Sequence, residues 1–258
     1  MSERGDLLEL VCGAYGRLPT ISASVRSWMH FERQERAFEI ARQHAVPGEV
    51  SFVVAPRNPS GPAEFEGTDR IVLAPRRGAF RVDHEDSWNR SQFWVCDGET
   101  TWTPNAWGEV IPLLGGLDRI PGLAPRLLDP SWLVAYDLSD LTPEDCNGRN
   151  ALRVNAHFTA GRVMVLPEVE PTEVEVLIDA ELGFLHRMTG LVDDQPYHVL
   201  ELVDLVLDPV LSPDTFRIDG SARVISEAEM RRWLKPSLPM RVRVRLTRPF
   251  RRPGRGSR

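Results

Sequence analysis

The sequence predicts an α+β fold built on one strongly curved antiparallel sheet, an unclosed β-barrel whose helices cover or fill the concave face. Segments in which apolar and polar residues alternate recur along the chain, as in Ala151–Phe158, and turn residues separate them. The short turns at 180–183 and 193–196 favour antiparallel pairing. Helical periodicity is confined to a few segments that do not alternate with the strands. We expect nine or ten strands and two or three helices.

The N-terminal half begins with a predicted helix, because its apolar residues recur at helical spacing. They are Leu7, Val11, Ala14 and Leu18. A long strand follows from Ala23, and its alternation is compatible with a continuation as far as Ala41. Residues 46–68 are rich in Pro and Gly and are predicted to form a surface loop. Four short strands come next, at Ile71–Leu73, Phe80–Asp83, Gln92–Cys96 and Thr100–Thr103.

The C-terminal half is predicted to contain a loop at 108–125 and a helix over 126–138 that restarts at Asp129 and Pro130, as N-cap and first-turn proline. Alternation then predicts five more strands, at Ala151–Phe158, Val163–Leu166, Val174–Asp179, Phe184–Leu191 and His198–Leu207. A last helix starts at Ser226 with a capping box to Glu229. We therefore expect one domain over 1–224, a helix and linker over 225–240, and a partly disordered tail over 241–258.

Basic residues are distributed unevenly along the 258 residues. Residues 241–258 contain eight Arg and no acid, so the other 240 residues hold 23 of the 31 basic residues against all 37 acidic ones, a net charge of −14. This asymmetry predicts that the tail contacts an anionic membrane, an acidic partner or the chain's own acidic surface. Specific nucleic-acid recognition is not favoured, because Phe250 is the only aromatic residue in the tail.

The chemistry-bearing residues do not form a recognisable catalytic or metal-binding pattern. There is no G-x-S-x-G, P-loop or dinucleotide-binding glycine motif, and the three cysteines are widely spaced. Asp83, His84, Glu85 and Asp86 form the densest polar cluster, which is typical of a solvated strand end. We therefore predict no catalytic residue, no metal and no cofactor.

The N-terminus is polar and mixed in charge, and no run approaches the roughly 20 apolar residues that span a bilayer. We therefore expect neither a signal peptide nor a transmembrane segment. A cytoplasmic location is expected, and the low cysteine content agrees with a reducing compartment.

Four short motifs occur in an order that resembles the LolA-like superfamily, which includes lipoprotein carriers and lipid-binding lipoproteins. They are Phe80-Arg81-Val82, Asp97-Gly98-x-x-x-Trp102, Ile178-Asp179-x-x-x-Gly183-x-x-x-Arg187 and Pro213-Asp214-x-Phe216. The resemblance covers about residues 6–219. It implies a half-barrel with an apolar cavity for acyl chains.

The function predicted from this resemblance and from the aromatic strands is non-catalytic binding of a hydrophobic, acyl-like ligand. Apolar candidates for its site are Met29, Phe31, Phe80, Trp94, Trp102 and Trp132, and the polar rim candidates are Arg81 and Arg187. The same residues also suit plain core packing, with the 126–138 helix filling the space. A second interpretation is a regulatory protein that holds a partner's peptide on the concave face while its basic tail docks to an acidic surface.

Overall fold

The computed structural model describes residues 3–44, 63–88, 91–105, 108–113, 121–158, 173–218, 223–226 and 229. Its helices are α1 (Glu3–Cys12), α2 (Ala14–Arg17), α3 (Phe31–His44) and α4 (Ala124–Leu128), with 3-10 helices at Pro75–Arg77 and Pro130–Ala135. Its strands are β1 (Ile21–His30), β2 (Glu64–Ala74), β3 (Ala79–Asp86), β4 (Ser91–Asp97), β5 (Thr101–Pro104), β6 (Val110–Pro112), β7 (Tyr136–Cys146), β8 (Arg149–Phe158), β9 (Glu173–Asp179), β10 (Leu185–Val192) and β11 (Gln195–Leu207).

The strands form a single sheet of eleven strands in the order β6-β5-β4-β3-β2-β1-β11-β10-β9-β8-β7. Every neighbouring pair is antiparallel. Two meanders, β1 to β6 and β7 to β11, are therefore joined by the pairing of β1 with β11. The sheet is unclosed, because β6 and β7 lie at its two ends. The predicted antiparallel architecture is confirmed, while the strong curvature stays a prediction.

One face of the sheet, called the inner face below, carries the main hydrophobic core. On β1 this face presents Ile21, Ala23 and Val25, all buried, while Arg26 points to the opposite, outer face. The apolar side of α1 packs into the same core through Leu7 and Val11. So do α4 and the following 3-10 helix, through Leu127, Leu128 and Leu133. The expectation that helical segments cover this face is confirmed.

The predicted continuation of the first strand to Ala41 is wrong. The strand ends at His30, and α3 begins at the next residue. Past Phe31 the sequence changes to charged residues with good helix propensity. Ala37 and Ile40, one helical turn apart, pack on the outer face against Tyr197 and Val192. Packing on a distant strand therefore decides the structure here.

Other element boundaries also differ from the sequence pattern. β2 begins at Glu64, so the last residues of the predicted 46–68 loop belong to the sheet. β6 was expected to be loop, and β7 occupies residues 136–138 of the predicted helix. The predicted strand Val163–Leu166, most of 225–240 and the tail lie outside the described residues.

Two predicted caps are present. Asp129 accepts the backbone N–H of Ser131 at 3.4 Å, with Pro130 in the first turn. Ser226 and Glu229 form the reciprocal hydrogen bonds of a capping box, at 2.9 and 3.2 Å. In the part of the chain that the structure describes, no helix has the length and apolarity needed to cross a membrane.

Candidate functional site

Four apolar side chains form a cluster at one end of the inner face, called the aromatic patch: Met29, Phe31, Phe65 and Trp88. Met29 and Phe65 lie opposite each other in the β1–β2 register. The ring centroid of Trp88 lies 4.9 Å from that of Phe65 and 6.1 Å from that of Phe31. The Trp88 and Phe31 ring planes are almost parallel. None of the four belongs to the main core, and Trp88 is 44% exposed.

Strand alternation and backbone hydrogen bonds hold the patch together. Odd-numbered residues of β1 point to the inner face. Met29 therefore lies on the same side of the strand as the buried Val25. The N–H of Phe31 donates to the carbonyl of Ala63 at 3.0 Å, which ties the start of α3 to the chain before β2. The N–H of Trp88 donates to the Asp86 carboxylate at 2.9 Å. Three separate parts of the chain thus supply the patch.

A buried polar cluster lies next to the aromatic patch on the inner face of β2 and β3. Nδ1 of His84 lies 2.6 Å from Oδ1 of Asp69, and Nε2 lies 3.7 Å from Oδ2 of Asp86. Both carboxylates are fully buried, whereas the His84 side chain is 18% exposed. The other oxygen of Asp69 accepts the N–H of Leu123, just before α4, at 3.0 Å. The cluster therefore fastens α4 to the sheet.

The position of this polar cluster differs in part from the solvated strand end that was expected at residues 83–86. Residues 83–86 alternate along β3, with His84 and Asp86 on one side of the strand and Asp83 and Glu85 on the other. Asp83 and Glu85 face solvent as expected, with side chains 40% and 66% exposed. His84 and Asp86 do not, because they continue the inner face beyond the buried pair Ile71 and Val82, and His84 lies opposite Asp69. The sequence signal that was missed is Asp69 itself, in phase with Ile71. No group of three or more metal-ligating side chains suited to a metal occurs among the described residues.

The buried Ser27 hydroxyl, on the inner face of β1, is held by the backbone of the neighbouring strand. Ser27 and Gly67 are paired across β1 and β2, and the Ser27 hydroxyl donates to the Gly67 carbonyl at 3.2 Å. The carboxylates of Asp69 and Asp86 accept backbone N–H groups. These contacts stabilise the fold around the patch.

His198 is a buried histidine on the inner face, opposite Met29 in the β1–β11 register. Burial lowers its pKa to about 4, and the positive charge of Arg126 on α4 adds to the effect. The imidazole is therefore neutral at pH 7, because a charge on it would be desolvated and repelled by a neighbouring cation.

The Ile178-Asp179-x-x-x-Gly183 motif builds the turn between β9 and β10. The buried Asp179 carboxylate accepts two hydrogen bonds from Arg149, at 2.6 and 3.1 Å, and the N–H of Leu182 at 2.8 Å. His186 Nε2 lies 3.1 Å away. Burial alone would raise the pKa of Asp179, but the hydrogen bonds from His186, Arg149 and Leu182 hold it well below its usual range. The motif residues here have a structural role.

The other sequence-predicted site residues lie apart from the aromatic patch. Phe80 is buried in the main core, and Trp94 and Trp132 pack against that core. Trp102 lies opposite Val95 in register, on the face away from Phe80.

Both predicted rim arginines point to the outer face, where each contacts a carboxylate. Arg81 Nε lies 2.8 Å from Asp83, and the Arg187 guanidinium lies 3.4 Å from Glu175.

Of the predicted set, the structure brings together Met29 and Phe31. The patch residues that were missed are Phe65, which was placed in the 46–68 loop, and Trp88, which lies between the predicted strands Phe80–Asp83 and Gln92–Cys96. The signal for Phe65 was its alternation with Gly67, Asp69 and Ile71.

The fold and site define an open antiparallel-sheet protein with helices and an apolar patch on one face. No protein-family model matches the sequence, and no curated protein matches it.

Several solved structures are similar. MucB is 16% identical, with 86% of this chain and 64% of that chain covered and a TM-score of 0.46. The Mycobacterium tuberculosis lipoprotein LppX is 11% identical, with 81% and 99% covered and a TM-score of 0.43. A LolA superfamily protein from Nitrosomonas europaea is 12% identical, with 85% and 99% covered and a TM-score of 0.33. At these values the similarities assign neither a family nor a function to this chain.

Proposed function

We propose that this chain is a non-catalytic binding module that holds an apolar, acyl-chain-like group against the aromatic patch. The observation that carries the proposal is the position of Met29, Phe31, Phe65 and Trp88, which meet on the inner face outside the main core. With Trp88 44% exposed, the patch presents aromatic surface to a ligand.

The patch is suited to a flexible hydrocarbon chain because its rings are fixed before binding. Trp88 is held between Phe65 and Phe31 by ring contacts, so little side-chain entropy is lost when a ligand covers it. Each methylene group that leaves water contributes about 0.8 kcal/mol. Several methylene groups on these rings therefore give measurable affinity.

The neighbouring polar groups favour recognition of the chain over recognition of an anionic headgroup. Asp69 and Asp86 already accept backbone N–H groups, and their negative charge opposes a carboxylate or phosphate beside the patch. The headgroup is therefore expected to lie toward solvent. The resemblance of the sequence motifs to the LolA-like superfamily points to the same class of ligand.

Displacement of a fluorescent fatty acid from the full chain tests the proposal. We expect micromolar binding, and we expect Trp88→Ala and Phe65→Ala each to weaken it about tenfold, in line with the loss of one buried aromatic contact. Tyr15→Ala is the matched control, because Tyr15 is a similarly exposed aromatic residue, at 39%, outside the patch. Circular dichroism verifies that each variant is folded. Absence of binding at micromolar ligand, or an equal loss in the Tyr15 variant, would refute the proposal.

A further inference from the structure

A cavity of about 420 Å³ lies on the outer face, where β11, β1 and β2 run side by side. Two residues from each of the three strands point into it, and they lie side by side in the register of the sheet. They are Arg26, Trp28, Glu66, Thr68, Val199 and Glu201. The sheet separates this outer cavity from the aromatic patch. Its volume suits a small molecule or one long side chain.

The indole of Trp28 forms an ordered wall of the outer cavity. Its Nε1–H donates to the Glu64 carboxylate at 3.0 Å, and its ring meets His30 edge-on at a centroid distance of 6.2 Å. These two contacts fix the orientation of the ring. A fixed tryptophan face is the side-chain surface that attracts a cation most strongly.

Carboxylates flank this indole on two sides. Glu66 lies opposite Trp28 on β2, and Glu201 lies on β11 opposite Arg26. With both acids ionised, the lining carries a formal charge of −1 after Arg26 is counted. The cavity therefore combines an aromatic wall with net negative charge, which favours an organic cation over an anion.

We infer that the outer cavity binds a guanidinium group, stacked on Trp28 and hydrogen-bonded to Glu66 and Glu201. A guanidinium is planar and weakly hydrated, so it stacks on an indole at a lower desolvation cost than an ammonium group. Its fork of N–H donors suits two carboxylates on the strands that flank β1 on either side. Thr68 offers a further hydroxyl acceptor at the rim.

Two kinds of ligand can supply such a guanidinium group. One is a free small molecule. The other is an arginine side chain in a peptide, and residues 241–258 of the chain supply eight arginines without an acidic residue. The test must separate these sources.

Calorimetric titration of the full chain with Nα-acetyl-arginine amide tests the inference, with the neutral citrulline analogue as the ligand control. We expect saturable binding of the arginine probe and none of citrulline. Glu66→Gln and Glu201→Gln should each weaken binding about tenfold, the usual effect of losing one charge-assisted hydrogen bond. Glu85→Gln is the matched variant, because Glu85 lies on the same outer face of β3, opposite Thr68, but does not line the cavity.

Two further full-length variants determine where the bound guanidinium comes from and whether the ligand is positively charged. If the eight tail arginines are replaced by Gln, tighter probe binding assigns the cavity to the chain's own tail, and unchanged binding assigns it to an external guanidinium. Arg26→Gln should tighten probe binding severalfold, because it removes a like charge beside the ligand. The inference is overturned by equal binding of citrulline, by no binding to the full chain and the tail variant, or by weaker binding to the Arg26 variant.

Discussion

The carboxylate of Asp69 is shared between His84 and the backbone that leads into α4. Its Oδ1 lies 2.6 Å from Nδ1 of His84, and its Oδ2 accepts the N–H of Leu123 at 3.0 Å. One fully buried side chain therefore joins β2, β3 and the segment whose leucines fill the inner face. The absence of a side chain at Gly122, where a Cβ would collide with this carboxylate, lets the two segments approach.

We expect Asp69→Ala to lower the free energy of unfolding by about 2–3 kcal/mol, because the largely buried His84 imidazole and the Leu123 N–H both lose the carboxylate that they contact. Urea unfolding measures the loss. Asp83→Ala is the matched control: Asp83 lies on the outward side of the same segment of β3, and its half-exposed pair with Arg81 contributes at most about 1 kcal/mol. A loss no larger than the control's would show that Asp69 does not fasten α4.

Gly183 is expected to be irreplaceable in the β9–β10 turn. Its φ is +82°, a left-handed conformation, and a Cβ at this position would collide with the carbonyl oxygen of Leu10 in α1. Gly183→Ala should therefore destabilise the protein by about 2 kcal/mol or more, as backbone strain and steric overlap act together. Thermal unfolding compares it with Gly16→Ala, whose Cβ meets nothing within 4 Å. Gly16 lies in α2, so its variant should be unchanged or slightly more stable, and equal effects at the two sites would contradict the prediction.

The buried His198 predicts a pH dependence of stability. Its pKa is about 4 in the folded chain, below the ordinary value of 6.5, so the unfolded chain takes up a proton first as the pH falls. Its contribution to stability is therefore complete above about pH 6.5 and is lost between about pH 6.5 and 4. The loss is about 3 kcal/mol, from 1.36 kcal/mol per pKa unit.

Urea unfolding at several pH values, on the full chain and on His198→Gln, measures this contribution. The variant should show a shallower fall in stability between pH 6.5 and 4. His157→Gln is the control, because the His157 side chain is 57% exposed and should leave the slope unchanged. Parallel curves for the full chain and the His198 variant would exclude His198 as the titrating group.

Local periodicity explains the parts of the fold that the sequence predicted well. Leu7, Val11 and Leu18 are buried as their helical spacing requires, and the strand at Ala151–Phe158 lies within β8. The caps at Asp129 and Ser226 were also predictable, because a cap involves residues two or three positions apart. α3 was not predicted, since its apolar residues pack against strands that lie far away in sequence. β7 was not predicted either, although its partner is the adjacent strand β8, because the helical spacing of 126–138 was extended past residue 135, where the strand begins.

The sequence by itself determined that this protein is built on an antiparallel sheet with an apolar helix at its start, because alternation and helical spacing are properties of neighbouring residues. It did not determine the aromatic patch, although Met29 and Phe31 were recognised as candidates. Only the tertiary structure brought Phe65 and Trp88 to them and placed Arg81 and Arg187 on the other face. The physical reason is that a sheet's register, set by the packing of the whole core, decides which distant side chains share a face.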